Sequence, residues 1–372
     1  MGKAGRMKIA IVGAGIVGLS TAWAMIRQGH EVIVFDQGPI PNPRSASFDQ
    51  HRMIRPHYGN QTGYTRMVGE AHDAWHRLWD DLGANHFAET GVLAVDFGDS
   101  IWMKATQQAL EETGTAFETV DRQGIEAYAP ALATQSGTWA LHAAKAGVLF
   151  ADRIVTDLAS WLARNGASLR PKSIVSNLDA DAGQFTLGNG ERVAVDEVVV
   201  SVGAWVSRLL PALADRVTPV RSVVGYVAPP DALQALWADG PALFLMTPSA
   251  HLYCLPPVSG SELKFGGAPL LHPGDPDRPV TVDAEELRQI GHAISPYLKD
   301  PNGHRMIKGA GAYYADPDDK RFIIERYGRA TVVTGCGGRM FKFGALVGQR
   351  VCDHLCNTLS IERLSAWARA VA

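Results

Sequence analysis

The chain has 372 residues, of which 46% are hydrophobic and 20% charged, enough for two domains or one large interleaved one with a sizeable core. A formal net charge of −3 gives no reason to expect nucleic acid or an acidic membrane as partner, and no run of 18 apolar residues is present to span a bilayer. The start MGKAGRMK lacks a signal-type segment, position 6 is Arg rather than the Ser or Thr of a myristoylation site, and Cys254, Cys336, Cys352 and Cys356 show no CxxC pairing. The expectation is therefore a soluble cytoplasmic protein, a monomer or small homo-oligomer, with packed thiols.

Residues 8–36 open the chain with an apolar β-branched run (Ile9 to Val12), then Gly13-x-Gly15-x-x-Gly18, a helical stretch stopped by Gly29, and a second apolar run, Val32 to Phe35, ending in Asp36. This is a strand–helix–strand unit with glycines where a dinucleotide needs them. Gly13 permits the tight turn, Gly15 lets backbone reach a pyrophosphate, and Gly18 brings helix against strand. The positive end of the helix dipole receives the phosphate charge. Asp36 lies roughly 20 residues beyond the glycines and is placed to accept from a ribose hydroxyl. Gly13, Ala14, Gly15, Ile16, Val17 and Gly18, with Asp36 and Gln37, form the expected nucleotide contacts, and Ser45 and Arg44 follow close enough to reach the phosphates.

After a loop with Pro39, Pro41 and Pro43 comes a basic-aromatic segment from Phe48 to Tyr58, in which His51 and His57 flank two arginines and read as polar loop residues. Apolar spacing of three and four predicts a helix over 64–82. Short strands and a helix fill 91–142, and 152–166 reads as a helix capped by Asp152 and stopped by Gly166. Strand-like segments at 172–178, including Val175, and at 184–187 precede a buried strand over 193–205. That strand closes on Gly203-Ala204-Trp205, where backbone can approach a ligand. Residues 217–315 alternate in short β patterns with one helix over 283–298. Strands at Phe322–Ile324 and Ala330–Thr334, the turn Gly335-Cys336-Gly337-Gly338 and a helix from Gly344 to Thr358 finish the chain. The nucleotide domain is thus expected from residues 1–84, 146–216 and 322–372, and a β-rich second domain from 85–145 and 217–321. The twelve histidines show no metal spacing, and no Ser-His-Asp order, HExxH or Walker loop is present.

Five anchors in order carry a resemblance: GAGIVG with Asp36; HRMIRPHYG; AGVLFADR with SVGAWVSRLL; ELKFGG; and GCGGRMFKF. The chain resembles the monomeric sarcosine oxidase and N-methyltryptophan oxidase family, a branch of the D-amino-acid-oxidase-like flavoproteins. The resemblance implies an α/β fold, a Rossmann-like FAD-binding domain with an inserted substrate domain on a mixed β-sheet. It also implies oxidation of the C–N bond of a secondary amino acid (N-methyl or cyclic) to an imine. The flavin is then reoxidised by oxygen with formation of hydrogen peroxide. The alternative is a D-amino-acid or imino-acid dehydrogenase passing electrons to another acceptor.

By the same resemblance Lys264 sits over the flavin, where a fixed ammonium stabilises charge developing on oxygen, and Arg55 and Lys342 hold the substrate carboxylate. An arginine fork suits a planar carboxylate and a lysine adds a point charge. Arg52 matches a second active-site arginine near the flavin, and Tyr253 and Tyr313 match tyrosines of the substrate cavity. Val175, Gly203, Trp205, Gly335, Gly337, Gly338 and Lys342 complete the expected flavin contacts.

Four departures stand out. The cysteine that carries covalent flavin in family members falls at Gly311 or Ala310, so non-covalent FAD is expected. A substrate-site histidine is Ala268, and a histidine before the arginines is Phe48. Arg339 and Met340 replace histidine and glycine, so Met340 narrows the pocket and Arg339 offers a second anion contact.

Overall fold

The computed structural model describes residues 5–371. Apolar β-branched runs bury both faces of a strand and call for a covered parallel sheet. Lys8–Val12 occupies the middle of such a sheet, in the order Ile323–Tyr327, Ala330–Thr334, Glu197–Val200, Lys8–Val12, Glu31–Phe35, Ser168–Arg170. All neighbours run parallel except the first pair. Helices Ile16–Arg27, Thr62–Leu82, Ala151–Arg164 and Gly344–Leu355 share one hydrophobic core with one face of this sheet. The Thr62–Leu82 helix turns Tyr64, Met67, Val68, Ala71, Trp75 and Leu78 inward at helical spacing and ends at Gly83 in the left-handed region, φ 67°. The other face meets a three-stranded antiparallel sheet, whose Phe185 packs edge-on against Phe35 at 5.2 Å.

A mixed eight-stranded sheet draws its strands from residues 92–143 and 217–317. Its order is Arg305–Pro317, Val217–Ala228, Leu263–Pro273, His251–Leu255, Ala242–Met246, Val92–Asp96, Trp139–Ala143, Glu118–Val120. A small sheet of Arg52–Ile54, Gly147–Leu149 and Phe87–Ala88 carries the arginine segment.

Several boundaries differ from the sequence expectation. The helix near 152–166 starts at Ala151 with Phe150 as its cap, while Asp152 sits in the first turn, where its charge suits the dipole. The stretch 193–205 is not one strand. Asp196 accepts from Lys8 N at 2.7 Å and marks the passage from the small sheet to the parallel one, and Gly203–Trp205 forms a 3₁₀ turn. Two helices, Ile101–Glu112 and Arg122–Tyr128, fill 91–142 rather than one. The helix expected over 283–298 ends at Ile294, ahead of Pro296, and an additional helix, Ile361–Ala368, follows the last expected one. Among the described residues no helix is long and apolar enough to cross a membrane, and no His/Cys/Asp/Glu group could hold a metal.

Candidate active site

The carboxyl ends of the parallel strands open into a cavity of about 1190 Å³ that extends to the mixed sheet. Small-molecule sites run roughly 300–1,000 Å³, so this one is large enough for an extended ligand. Its wall includes Gly13, Gly15, Ile16, Val17, Asp36, Gln37, Ser45, Val175, Gly203 and Trp205, together with Arg52, Arg55, Tyr253, Lys264, Tyr313, Gly337, Gly338, Arg339, Met340 and Lys342.

The glycine loop is built to admit a phosphate. Gly15 caps the Ile16–Arg27 helix with no side chain of its own, and Ser47 Oγ accepts from Ile16 N at 2.9 Å. A Cβ on Gly15 would sit 3.2 Å from Ser47 Oγ and 3.4 Å from Ser45 Oγ, so the two hydroxyls and the helix start form a cradle that a side chain would crowd. These residues fit a dinucleotide with its pyrophosphate at the helix start. Three expected contacts stand behind the wall instead. Ala14 N donates to Asp36 Oδ2 at 2.9 Å, Gly18 packs so tightly on Gly13 O that a Cβ would collide, and Gly335, φ 67°, turns the chain beside Arg321 and Ile323. The Asp36 carboxylate also accepts from Gly38 N and Asn42 Nδ2, both at 2.8 Å, so it organises the loop as well as facing the cavity. Arg44 does not line the cavity. Its guanidinium donates to Pro276 O at 3.0 Å and Asp277 O at 3.3 Å, tying the loop that carries these carbonyls to the glycine-loop region.

Strand register delivers Lys264. It lies opposite Tyr226 on one neighbour and Leu255 on the other, with its side chain 1% exposed. Its ammonium donates to Asp49 Oδ2 at 2.9 Å and to His51 O. The same carboxylate accepts from Arg52 and Tyr226. Burial would raise the Asp49 carboxyl, but Lys264 and Arg52 outweigh it and hold the pKa well below the carboxylate range. Burial pulls Lys264 down to about 8, with Asp49 opposing. Burial lifts the Tyr253 phenol to about 12, and its ring lies directly over Gly266, where a Cβ would collide with it.

Arg55 rests on aromatic faces, its guanidinium carbon 3.8 Å from the Phe244 centroid, 5.2 Å from Tyr58 and 5.8 Å from Trp102. Arg339 donates to Gln61 Oε1 at 3.1 Å and lies over Tyr64 at 5.3 Å. Lys342 has Arg339 O as its hydrogen-bond acceptor, at 3.3 Å. Among the described residues no carboxylate pairs with any of the three, and Arg55 Nη1 and Arg339 Nη2 are buried without a partner. Burial and then the like charges of Arg55 and Arg339 hold Lys342 well below its ordinary pKa, and burial brings Arg55 to about 10.

His51 and His57 lie in loop on either side of the strand Arg52–Ile54, as expected, but they are buried. Both have no exposed surface, neither lines the cavity, and burial lowers them to about 2 and about 3, so both are neutral. Sequence reasoning passed over Asp49, although it stands three residues before Arg52, because its partner Lys264 is 215 residues away. It likewise passed over the aromatic seat of Arg55, contributed by Tyr58, Trp102 and Phe244. Tyr314 lines the cavity beside Tyr313. Cys336 is a wall residue whose thiol donates to Ala315 O at 3.6 Å, while Ala268 is not part of the wall.

Comparison with known proteins agrees with this geometry. The profile of the FAD dependent oxidoreductase family, DAO, matches residues 8–354. The monomeric sarcosine oxidase of Bacillus sp. (strain B-0618) is 25% identical over 352 residues, covering 92% of this chain and 90% of that protein. The N-methyl-L-tryptophan oxidase of Salmonella arizonae is 25% identical over 358 residues, 93% of each. Among solved structures, a modified fructosyl peptide oxidase from Aspergillus nidulans superposes with a TM-score of 0.84 at 21% identity, over 97% of this chain and 94% of that one. L-proline dehydrogenase from P. horikoshii does so at 0.83 and 18%, over 98% and 97%. The chain belongs to the DAO family of FAD-dependent oxidoreductases.

Proposed function

We propose that this protein oxidises the C–N bond of a secondary amino acid, N-methyl or cyclic, to an imine, with oxygen as the final electron acceptor. The observation that carries this reading is the group of three basic side chains in the cavity wall, Arg55, Arg339 and Lys342, with no carboxylate paired to any of them among the described residues. Bound FAD supplies the two-electron acceptor. Residues 1–84, 146–216 and 322–372 form the domain that holds it, and 85–145 and 217–321 the substrate domain. Arg55 and Lys342 take the substrate carboxylate, and Tyr253, Tyr313 and Met340 shape the space for the amine. The Tyr253 phenol keeps its proton across physiological pH, so it donates or accepts a hydrogen bond as a neutral group. Protonated Lys264 and Arg52 hold positive charge against the wall where oxygen is reduced, an effect worth ~3–4 kcal/mol for one well-placed charge in a dry site.

The strand positions Ala310 and Gly311 offer no thiol, which supports non-covalent FAD. Acid precipitation should leave the yellow colour in the supernatant; colour in the pellet points to Cys336, the cysteine that lines the cavity. A second reading, a dehydrogenase passing electrons elsewhere, draws on Asp49, which takes up the Lys264 ammonium and halves the net charge that Lys264 and Arg52 present. Aerobic turnover with peroxide detection separates the two. Peroxide formed in step with substrate consumed supports the oxidase, and turnover only with an added quinone or dye supports the dehydrogenase.

A further inference from the structure

We infer that the preferred substrate is doubly anionic: a secondary amino acid with a second acidic group, a carboxylate or phosphonate, on a short side chain. This rests on the reading of the site as one for amino acids. One carboxylate is fully served by a guanidinium fork and an ammonium, which Arg55 and Lys342 supply. Arg339 is then a third cation in the same wall, and its place is fixed. One arm donates to Gln61 Oε1 at 3.1 Å, and the guanidinium lies 5.3 Å from the Tyr64 ring and 5.9 Å from Phe322. The other arm, Nη2, is buried with no acceptor, as is Arg55 Nη1. Asp316, an acid of the cavity wall, is engaged by Lys320 at 2.5 Å. Buried charged donors without acceptors carry a desolvation cost that a ligand anion removes. Two such donors on separate, pre-positioned arginines call for two anionic groups. Trp102, Phe244 and Met246 close this part of the cavity with apolar surface, which limits the chain between the two acids.

The direct test uses the holoenzyme and unreactive ligands. Succinate and glutarate, with acetate and propionate as controls, are titrated against the visible flavin spectrum. The dicarboxylates should bind roughly 10- to 100-fold more tightly, the worth of one charge-assisted contact. In Arg339→Gln the ratio of dicarboxylate to monocarboxylate affinity should fall at least tenfold. In turnover, N-methylaspartate or N-methylglutamate should exceed sarcosine and proline in kcat/KM. Equal binding of mono- and dicarboxylates to the wild type overturns the inference without recourse to a variant, as does an Arg339→Gln change that weakens both classes alike. If dicarboxylates bind selectively while no amino acid reduces the flavin, the dianion site stands and the amino-acid reading falls.

Discussion

Replacing Asp49 by Asn should destabilise the protein more than replacing its partner Lys264 by Met, and the structure sets the difference. Asp49 is the acid in contact with both Lys264, 1% exposed, and Arg52, 23% exposed. Asp49→Asn leaves two cations facing a neutral amide in a buried site, and removing one partner of a buried pair costs about 3–5 kcal/mol. Lys264→Met removes a cation of similar volume but leaves Asp49 satisfied by Arg52 and Tyr226. Its cost should be less than half as large. The pH dependence adds a second check. Lys264 already has a folded pKa of about 8, below its ordinary 10.5, and loss of Asp49 lowers it further. Between the lowered pKa of the variant and 8 the unfolded variant binds more protons than the folded one, so its stability rises with pH while the wild type's does not. The Asp49→Asn deficit should therefore shrink as pH is raised towards 8. Urea unfolding of both variants, followed by tryptophan fluorescence at several pH values, measures this. A Lys264→Met cost equal to or above that of Asp49→Asn, or a deficit flat with pH, refutes the buried-pair argument.

Three further outcomes are expected. Arg55→Met should lower kcat/KM for the amino-acid substrate by about 10²-fold or more, because it removes the fork and leaves a carboxylate to desolvate without it; steady-state kinetics showing a change below threefold would remove Arg55 from the substrate site. The rate at which air restores the colour of the reduced enzyme should fall as pH rises through about 8, as Lys264 loses its proton, and stopped-flow mixing should find no such step in Lys264→Met. Gly18→Ala should yield protein with little or no bound flavin, since its Cβ meets the Gly13 carbonyl and forces the phosphate loop apart; a fully yellow Gly18→Ala protein would contradict the role of that close approach.

What was legible in the chain was local. Gly13, Gly15 and Gly18 announce the loop because their spacing follows from backbone geometry, and the 64–82 periodicity marks a helix because one face must be buried. The order of the anchors also placed Arg52, Arg55, Lys264 and Lys342 in one cavity. What was not legible came from contacts between distant segments. Nothing beside Leu263 and Phe265 in the sequence shows that Asp49 and the His51 carbonyl, from another part of the chain, take up the Lys264 ammonium. Arg44 read as a phosphate ligand because nothing nearby in sequence shows the Pro276 and Asp277 carbonyls that take it. His51 and His57 are loop residues as read, but their burial was not legible, because it comes from segments packed around the short strand Arg52–Ile54. The break at Asp196 depends on a bond to Lys8, 188 residues away.

The measurement that bears most directly on the central claim is anaerobic titration of the purified yellow protein with a panel of N-methyl and cyclic amino acids, followed by admission of air. Bleaching by members of the panel, lost in Arg55→Met and reversed promptly by air, is the predicted result. A yellow protein that none of the panel bleaches, in wild type and variant alike, would contradict the assignment of Arg55 and Lys342 to a substrate carboxylate.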